Sequence, residues 1–283
     1  MTQHPHEDGT RQTVRIPLPP PEMRDLVGGL GPERFDNRSG GLVYPYLPEQ
    51  VFESVFDFGS GCGRLARRLI QQRPRPRRYL GIDLHLGMVK WCQTHLTAVA
   101  PNFRFIHHDV FNAGLNPDGK ARTLAFPIEG EVFSFVEAWS VFTHLTQEQA
   151  EHYLGEVARI LAPKGVFQST WFLFDKADFP MLQDFQNALY ISLDDPSNAV
   201  IYDRTWLLNT TRRLGLVIHE IEPPEVRGFQ WRLLMARQET GRKEFAFPAD
   251  LAPKGERRPP VVRFVADRIG LDIPQTELSS EDA

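Results

Sequence analysis

One segment, Val55-Phe56-Asp57-Phe58-Gly59-Ser60-Gly61-Cys62-Gly63-Arg64-Leu65, constrains the fold more than any other stretch of the chain. An apolar run of strand length ends in an acid, three glycines alternate after it, and a helical pattern then runs over residues 64–72. Glycines at this spacing let the main chain take positive φ and come close to a ligand where any Cβ would collide, while the helix N-terminus adds donors. The acid limits the ligand. A dinucleotide pyrophosphate would be repelled by Asp57, and the spacing is G-x-G-x-G rather than the G-x-G-x-x-G of dinucleotide-binding loops. A cationic ligand end suits this loop better.

Around it, strand-like and helix-like segments alternate, which predicts βα units and a parallel sheet. Residues 79–83 form the second run, followed by a helix over 86–99; residues 103–106 and 132–136 are the third and fourth runs. Thr146-Gln147-Glu148-Gln149 is a capping box that opens a helix to about Leu161, ended by Pro163-Lys164-Gly165. Residues 166–171 read as a fifth strand. A helix over 203–214, closed by Gly215, precedes strands at 216–221 and 229–235, and too few residues separate that pair for a crossover, so it is predicted antiparallel. Residues 1–47 read as a proline-rich arm with a short helix at 21–27 that covers the site, 48–240 as the main domain with 173–202 an inserted lid, and 241–283 as a proline-rich tail whose only helix is at 261–269.

Composition narrows the classes. With 283 residues, 41% hydrophobic and 24% charged, the chain can bury a large core. Thirty-six acidic against 32 basic residues give a net charge of −4, with no excess that implies a polyanion partner. Arg73-Pro74-Arg75-Pro76-Arg77-Arg78 lacks interleaved aromatics and reads as a solvated loop, so no nucleic-acid partner is expected. Cys62 and Cys92 are the only cysteines, too few for a disulfide framework and without metal or redox spacing, which predicts a reducing, cytoplasmic setting. No stretch approaches the roughly 18 apolar residues of a membrane span, and the start of the chain has no signal-peptide core.

Through Asp57, Gly59, Gly61 and Gly63 the chain resembles the class I S-adenosylmethionine-dependent methyltransferases, over about residues 48–236. The resemblance implies a Rossmann-like, doubly wound α/β fold: a seven-stranded, mostly parallel sheet in the order 3-2-1-4-5-7-6 with its last strand antiparallel. It implies that the glycine loop wraps the methionine portion of S-adenosylmethionine, with Asp57 orienting the loop and the ammonium group. Asp83, at the end of the second strand, would accept the ribose hydroxyls; a helix N-cap is the plainer reading of that acid. Leu84 would pack on the adenine, Asp109 would receive its amino group, and Val110 would lie against the ring; a surface turn is the alternative for Asp109. Of His107 and His108, which complete no metal site, one is expected to face the sheet and the other solvent.

Glu137-Ala138-Trp139-Ser140-Val141-Phe142-Thr143-His144-Leu145 resembles the SVFTHL-type segment of small-molecule and glycan-related members of the superfamily. This places Ala138, Trp139 and Ser140 in the pocket, where cofactor meets acceptor. The (D/N)PP(Y/F/W) motif of amino-directed nucleic-acid methyltransferases is absent. His144 is the candidate general base, because histidine can take a hydroxyl proton near neutral pH. It can equally cap, pack or bond a backbone carbonyl, and alignment of nucleophile, methyl carbon and sulfur can supply most of the acceleration without a dedicated base. Tyr44 and Tyr46 would cover the cofactor or pack the arm, and Cys62 is a small filler in the loop. The expected activity is methyl transfer, without a metal, from S-adenosylmethionine to an oxygen, with nitrogen or carbon as less favoured alternatives, of a small-molecule or carbohydrate-like acceptor, leaving S-adenosylhomocysteine. The alternatives are a non-catalytic S-adenosylmethionine-binding regulator and a nicotinamide oxidoreductase, against which Asp57 and the glycine spacing argue. Acceptor identity and oligomeric state are unknown from the sequence.

Overall fold

The computed structural model describes residues 16–248, apart from residues 30, 131, 193, 226 and 227. The beginning of the arm and the helix expected at 261–269 lie outside the described residues. Helix α1 (Pro21–Leu26) starts on a proline, whose fixed φ suits a first turn, and gives way to Gly28 and Gly29, both at positive φ. Strand β1 (Ser54–Phe58), helix α2 (Arg64–Gln71), β2 (Arg78–Asp83), α3 (Leu86–His95) and β3 (Phe103–His107) make consecutive βα units, and β4 (Phe133–Ala138), α4 (Gln147–Ile160) and β5 (Leu161–Phe174) continue the pattern. Then come β6 (Ala188–Tyr190), β7 (Val200–Asp203), α5 (Arg204–Arg213), β8 (Leu216–Glu222) and β9 (Trp231–Arg237).

These elements form a Rossmann-like α/β fold. Strands β3, β2, β1, β4 and β5 lie side by side in parallel, β9 joins β5 antiparallel, and β8 closes the edge antiparallel to β9. Setting β6 and β7 aside, that is the expected order of seven, including the antiparallel closing pair. Among the described residues the sheet has nine strands because the insertion adds a hairpin. Strand β5 runs past Trp171, and its last residues, Phe172, Leu173 and Phe174, pair in parallel with Ile201, Tyr202 and Asp203 of β7, which in turn pairs antiparallel with β6. Val200 and Tyr202 are fully buried, so the stretch expected as a lid is in part an extension of the sheet.

Helices on both faces leave the central strands largely buried, and in β1 even Asp57 is buried. One core lies between the sheet, α4 and α5, centred on Phe56, Phe133, Phe167 and Trp171; Trp171 stacks on Phe142 with ring centroids 4.2 Å apart. The other core lies toward α2, α3 and the arm. Arg67, buried in α2, pins the arm: its guanidinium donates to the carbonyls of Ile16, Pro17 and Phe35 and pairs with Asp36. Helix α3 ends at His95 rather than near residue 99, because Leu96 and Thr97 both turn back to the Cys92 carbonyl and Thr97 Oγ1 donates to Phe103. Helix α4 keeps the predicted capping box at Thr146 and Gln149 but stops at Ile160, before Pro163. Leu161 already pairs with Phe133, so β5 takes up the chain before the proline is reached.

Candidate active site

The glycine loop leaves β1 and enters α2 with Gly59, Gly61 and Gly63 all at positive φ, and Gly63 serves as the N-cap. A Cβ on Gly63 would come within 2.4 Å of Leu96 Cδ1, so glycine is required there by α3 as much as by any ligand. The loop's amides are spent inside the protein. Gly59 and Ser60 N–H both donate to the Ile82 carbonyl at 2.9 and 3.0 Å, and Gly61 N–H donates to Asp83 Oδ2 at 2.7 Å. The other oxygen of Asp83 accepts from His85 N–H at 2.8 Å, which fixes the carboxylate in place at the end of β2. Burial raises its pKa, opposed by the two backbone donors.

A cavity of about 670 Å³ opens at this loop, within the roughly 300–1,000 Å³ range of cofactor and small-ligand sites. Gly59, Gly61, Asp83, Leu84, Val110, Ser140 and His144 all line it. It extends from the C-terminal ends of β1, β2 and β4, the crevice expected for an open α/β sheet, to residues 195–198 in the β6–β7 connection. On the arm side Leu26 and Val27 close it, Val27 lying over the Gly61 Cα. Ser140 is the only described non-glycine residue at positive φ, 59°, held there by its N–H donating to Thr170 Oγ1 at 2.7 Å and by Gln230 Nε2 donating to its hydroxyl at 2.8 Å.

Other expected residues lie outside this lining. Gly63 faces α3, and Ala138 is fully buried in the sheet. Asp57 sits behind the loop, where its Oδ2 accepts from the Tyr79 hydroxyl at 2.6 Å. Its neighbour across the sheet is Glu137, whose Oε1 accepts from Tyr44 at 2.6 Å. Burial of these two adjacent carboxyls pushes both pKa values well up, with Arg64 pulling the other way. Asp109 is exposed and turned into a local turn, its Oδ1 accepting from Asn116 Nδ2 at 3.0 Å. An acid just past a strand is well placed to be captured by a short polar turn, and this corrects the expectation that it faces the adenine.

His108 lies in the cavity wall instead. It is buried, with Nε2 2.8 Å from the Tyr153 hydroxyl, and burial pushes its pKa down to about 4. Of the paired histidines the other, His107, is only half-buried, with Nε2 3.0 Å from the Leu84 carbonyl. Tyr44 and Tyr46 line no part of the cavity; Tyr44 packs on Phe52 and Phe135, Tyr46 lies against Tyr44 and under Arg232, and their hydroxyls donate to Glu137 and Gln168. Sequence reasoning did not reach Met88, Tyr153, Asp195, Ser197 or Asn198, which also line the cavity. Helical periodicity marks Met88 and Tyr153 as core, and the other three sit in a hairpin connection without a motif.

S-adenosylmethionine needs an acceptor for its ribose hydroxyls, apolar walls for the purine, and a loop that is not a phosphate cradle. Asp83 supplies the first, Leu84, Met88 and Val110 the second, and the internal use of the loop amides meets the third. Ser60 Oγ, in the same wall, is buried without a protein partner, a polar atom open to a ligand. These residues fit the group.

Residues 55–165 match the family model described as methyltransferase domain. Among solved structures, the chain is similar to the [4+2]-cyclase SpnF, at 18% identity and a TM-score of 0.43, over 62% of this chain and 54% of that one, so it spans about half of that protein. It is similar to a SAM-dependent methyltransferase from Methanosarcina mazei, at 17% identity and a TM-score of 0.45, over 69% and 98% of the two chains. It is also similar to the 1,6-didemethyltoxoflavin-N1-methyltransferase of Burkholderia thailandensis, solved with 1,6-didemethyltoxoflavin and S-adenosylhomocysteine, at 16% identity and a TM-score of 0.44, over 65% and 70%. The stretch from β1 into the start of β5 thus matches a methyltransferase domain.

Proposed function

We propose that this methyltransferase acts on a hydroxyl oxygen of a small-molecule or carbohydrate-like acceptor, in a reducing, cytoplasmic setting. The observation that carries the reading is the single cavity shared by Asp83, the glycine loop and His144. Asp83, held by the Gly61 and His85 amides, binds the ribose; Leu84, Met88 and Val110 bind the purine; Gly59 and Gly61 leave room for the methionine portion. When bound, S-adenosylmethionine supplies an electrophilic methyl group on a sulfonium sulfur. Ser140 shapes the wall between the two ends, and Asn198 offers hydrogen bonds at the acceptor end. His144 receives the hydroxyl proton as the oxygen is alkylated. Asp57 acts from behind, through the strand end that carries the loop. In this reading residues 1–47 are the arm that covers the cofactor side, 173–202 shape the acceptor side, and 241–283 are the tail.

The test is calorimetric titration of the full chain with S-adenosylmethionine and S-adenosylhomocysteine, followed by transfer of an isotope-labelled methyl to hydroxylated small molecules and sugars. A methyl ether as product, with His144→Ala binding the cofactor normally but losing turnover, is the expected result. Label found only on nitrogen or carbon overturns the oxygen assignment, and full turnover by His144→Ala overturns the base.

A further inference from the structure

The connection between β6 and β7 reaches His144. Its Nδ1 lies 3.1 Å from the carbonyl oxygen of Ser197. A carbonyl only accepts, so Nδ1 carries the hydrogen, and in the neutral ring Nε2 keeps the lone pair. That carbonyl is held by a network. Ser197 N–H and Oγ both donate to Asp195 Oδ1, at 3.1 and 2.6 Å, and Asn112 Nδ2, from the segment after β3, donates to Ser197 Oγ at 3.1 Å. Asn198 N–H closes the turn on the Asp195 carbonyl at 3.0 Å. Asp195, Ser197, Asn112 and His144 all line the cavity. On the other side, His144 sits at the end of a 3₁₀ turn, Phe142–His144, and the one proton of the buried Tyr202 hydroxyl in β7 is shared between the carbonyls of Phe142, in the turn, and Leu145, just after it. Strand β7 thus braces the turn that carries the imidazole, and the connection leading into β7 fixes its proton.

We propose that the Asp195–Ser197 turn is a positioning device for His144, fixing the Nδ1–H tautomer so that Nε2 is the atom that takes the acceptor's proton. The inference rests on the oxygen-methylation reading above. A free imidazole prefers its proton on Nε2, which would leave no base at the site; the Ser197 carbonyl reverses that preference. In the reaction the acceptor O–H bond breaks toward Nε2, the oxygen's electron pair forms the bond to the methyl carbon, and the C–S pair returns to sulfur. The resulting imidazolium keeps its Nδ1–H on the carbonyl, and proton loss to solvent restores the neutral ring. Asp195 and Ser197 touch neither proton nor methyl group; they act through His144.

The experiment is long-range ¹H–¹⁵N correlation spectroscopy of the ¹⁵N-labelled full chain above the imidazole titration, with His144 assigned by the signals that His144→Gln removes. Wild type is expected to show Nδ1 protonated. Asp195→Ala shifts the ring toward the Nε2–H form, Asp195→Asn, whose amide oxygen still accepts, retains it, and Ser197→Ala, a milder cut that leaves the carbonyl, shifts it in the same direction. With a labelled-methyl assay, Asp195→Ala lowers kcat by about tenfold or more, a fraction of the usual worth of a general base, leaves cofactor Kd unchanged, and is rescued by Asp195→Asn. An Nε2-protonated ring in wild type, or a tautomer unmoved in both Asp195→Ala and Ser197→Ala, overturns the proposal. If the tautomer behaves as expected but His144→Ala keeps full turnover, the base reading fails and the positioning role goes with it, the hydrogen bond alone standing.

Discussion

Replacing His108 by Gln should remove a definable part of the acid sensitivity of this fold. His108 is buried in the cavity wall against Tyr153, and burial lowers its pKa from an ordinary 6.5 to about 4. The native state therefore holds the ring neutral while the unfolded chain binds a proton below pH 6.5. The group's contribution to stability is fully present above that value and is lost as pH falls toward 4. At about 1.4 kcal/mol per pKa unit, linkage gives a loss of about 2 kcal/mol by pH 5 and about 3 kcal/mol near pH 4. Gln keeps a polar atom near the Tyr153 hydroxyl but cannot ionise in this range. The assay is urea unfolding of wild type and His108→Gln from pH 7.5 to 4.5 without cofactor. Their stability difference should move by about 2 kcal/mol in favour of the variant as pH falls, with the slope centred between 5 and 6. A difference that stays flat with pH would falsify the assignment of a neutral, desolvated His108.

Asp83→Ala deletes the acceptor for the Gly61 and His85 amides as well as the proposed ribose contact, so S-adenosylmethionine should bind at least tenfold more weakly; a folded variant of unchanged affinity sinks the ribose role. Gly63→Ala places a methyl 2.4 Å from Leu96 Cδ1 at a φ of +81°, which should cost about 1–3 kcal/mol in thermal or urea unfolding whether or not cofactor is present, and a neutral result would mean that α3 yields. Glu137 is buried beside Asp57 and favours its protonated form in the native state, its pKa raised from 4.5 to about 8, so its contribution is fully present below the ordinary value and is lost as pH rises through about 8. Glu137→Gln, which still accepts from Tyr44, should gain stability over wild type as pH rises from about 5 to about 8; equal pH profiles would show that the carboxyl ionises freely in the fold.

Much of this fold is legible in the sequence because its signals are local. A strand that ends in glycines with a helix behind it, and a capping box such as Thr146-Gln147-Glu148-Gln149, state their geometry within a few residues. The closing antiparallel pair is readable from the shortness of its connection. The hairpin β6–β7 is not, since its strands are very short and their apolar residues are interrupted by Asp, Pro and Asn. Of the site, Gly59, Gly61 and Asp83 follow from position at strand ends and His144 from the segment after β4, and they do share one cavity. What the sequence hides is direction. Asp109 is diverted by Asn116, a partner too ordinary to notice, and the pairing of Asp57 with Glu137 exists only through the register of β1 on β4. The contact of Ser197 with His144 likewise joins residues that no spacing rule relates.

Strand β5 is fourteen residues long, and its first part belongs to the centre of the sheet while its last three residues carry the hairpin. The cavity wall at residues 195–198 is thus built as a cantilever from the core, with the positional accuracy of a sheet rather than of a free loop. If that wall faces the acceptor, as proposed above, selectivity is set by the side chains that project from residues 195–198 and can be redrawn one residue at a time. Exchanging the length of the connection would shift the whole cantilever tip, and the imidazole braced against it, out of line.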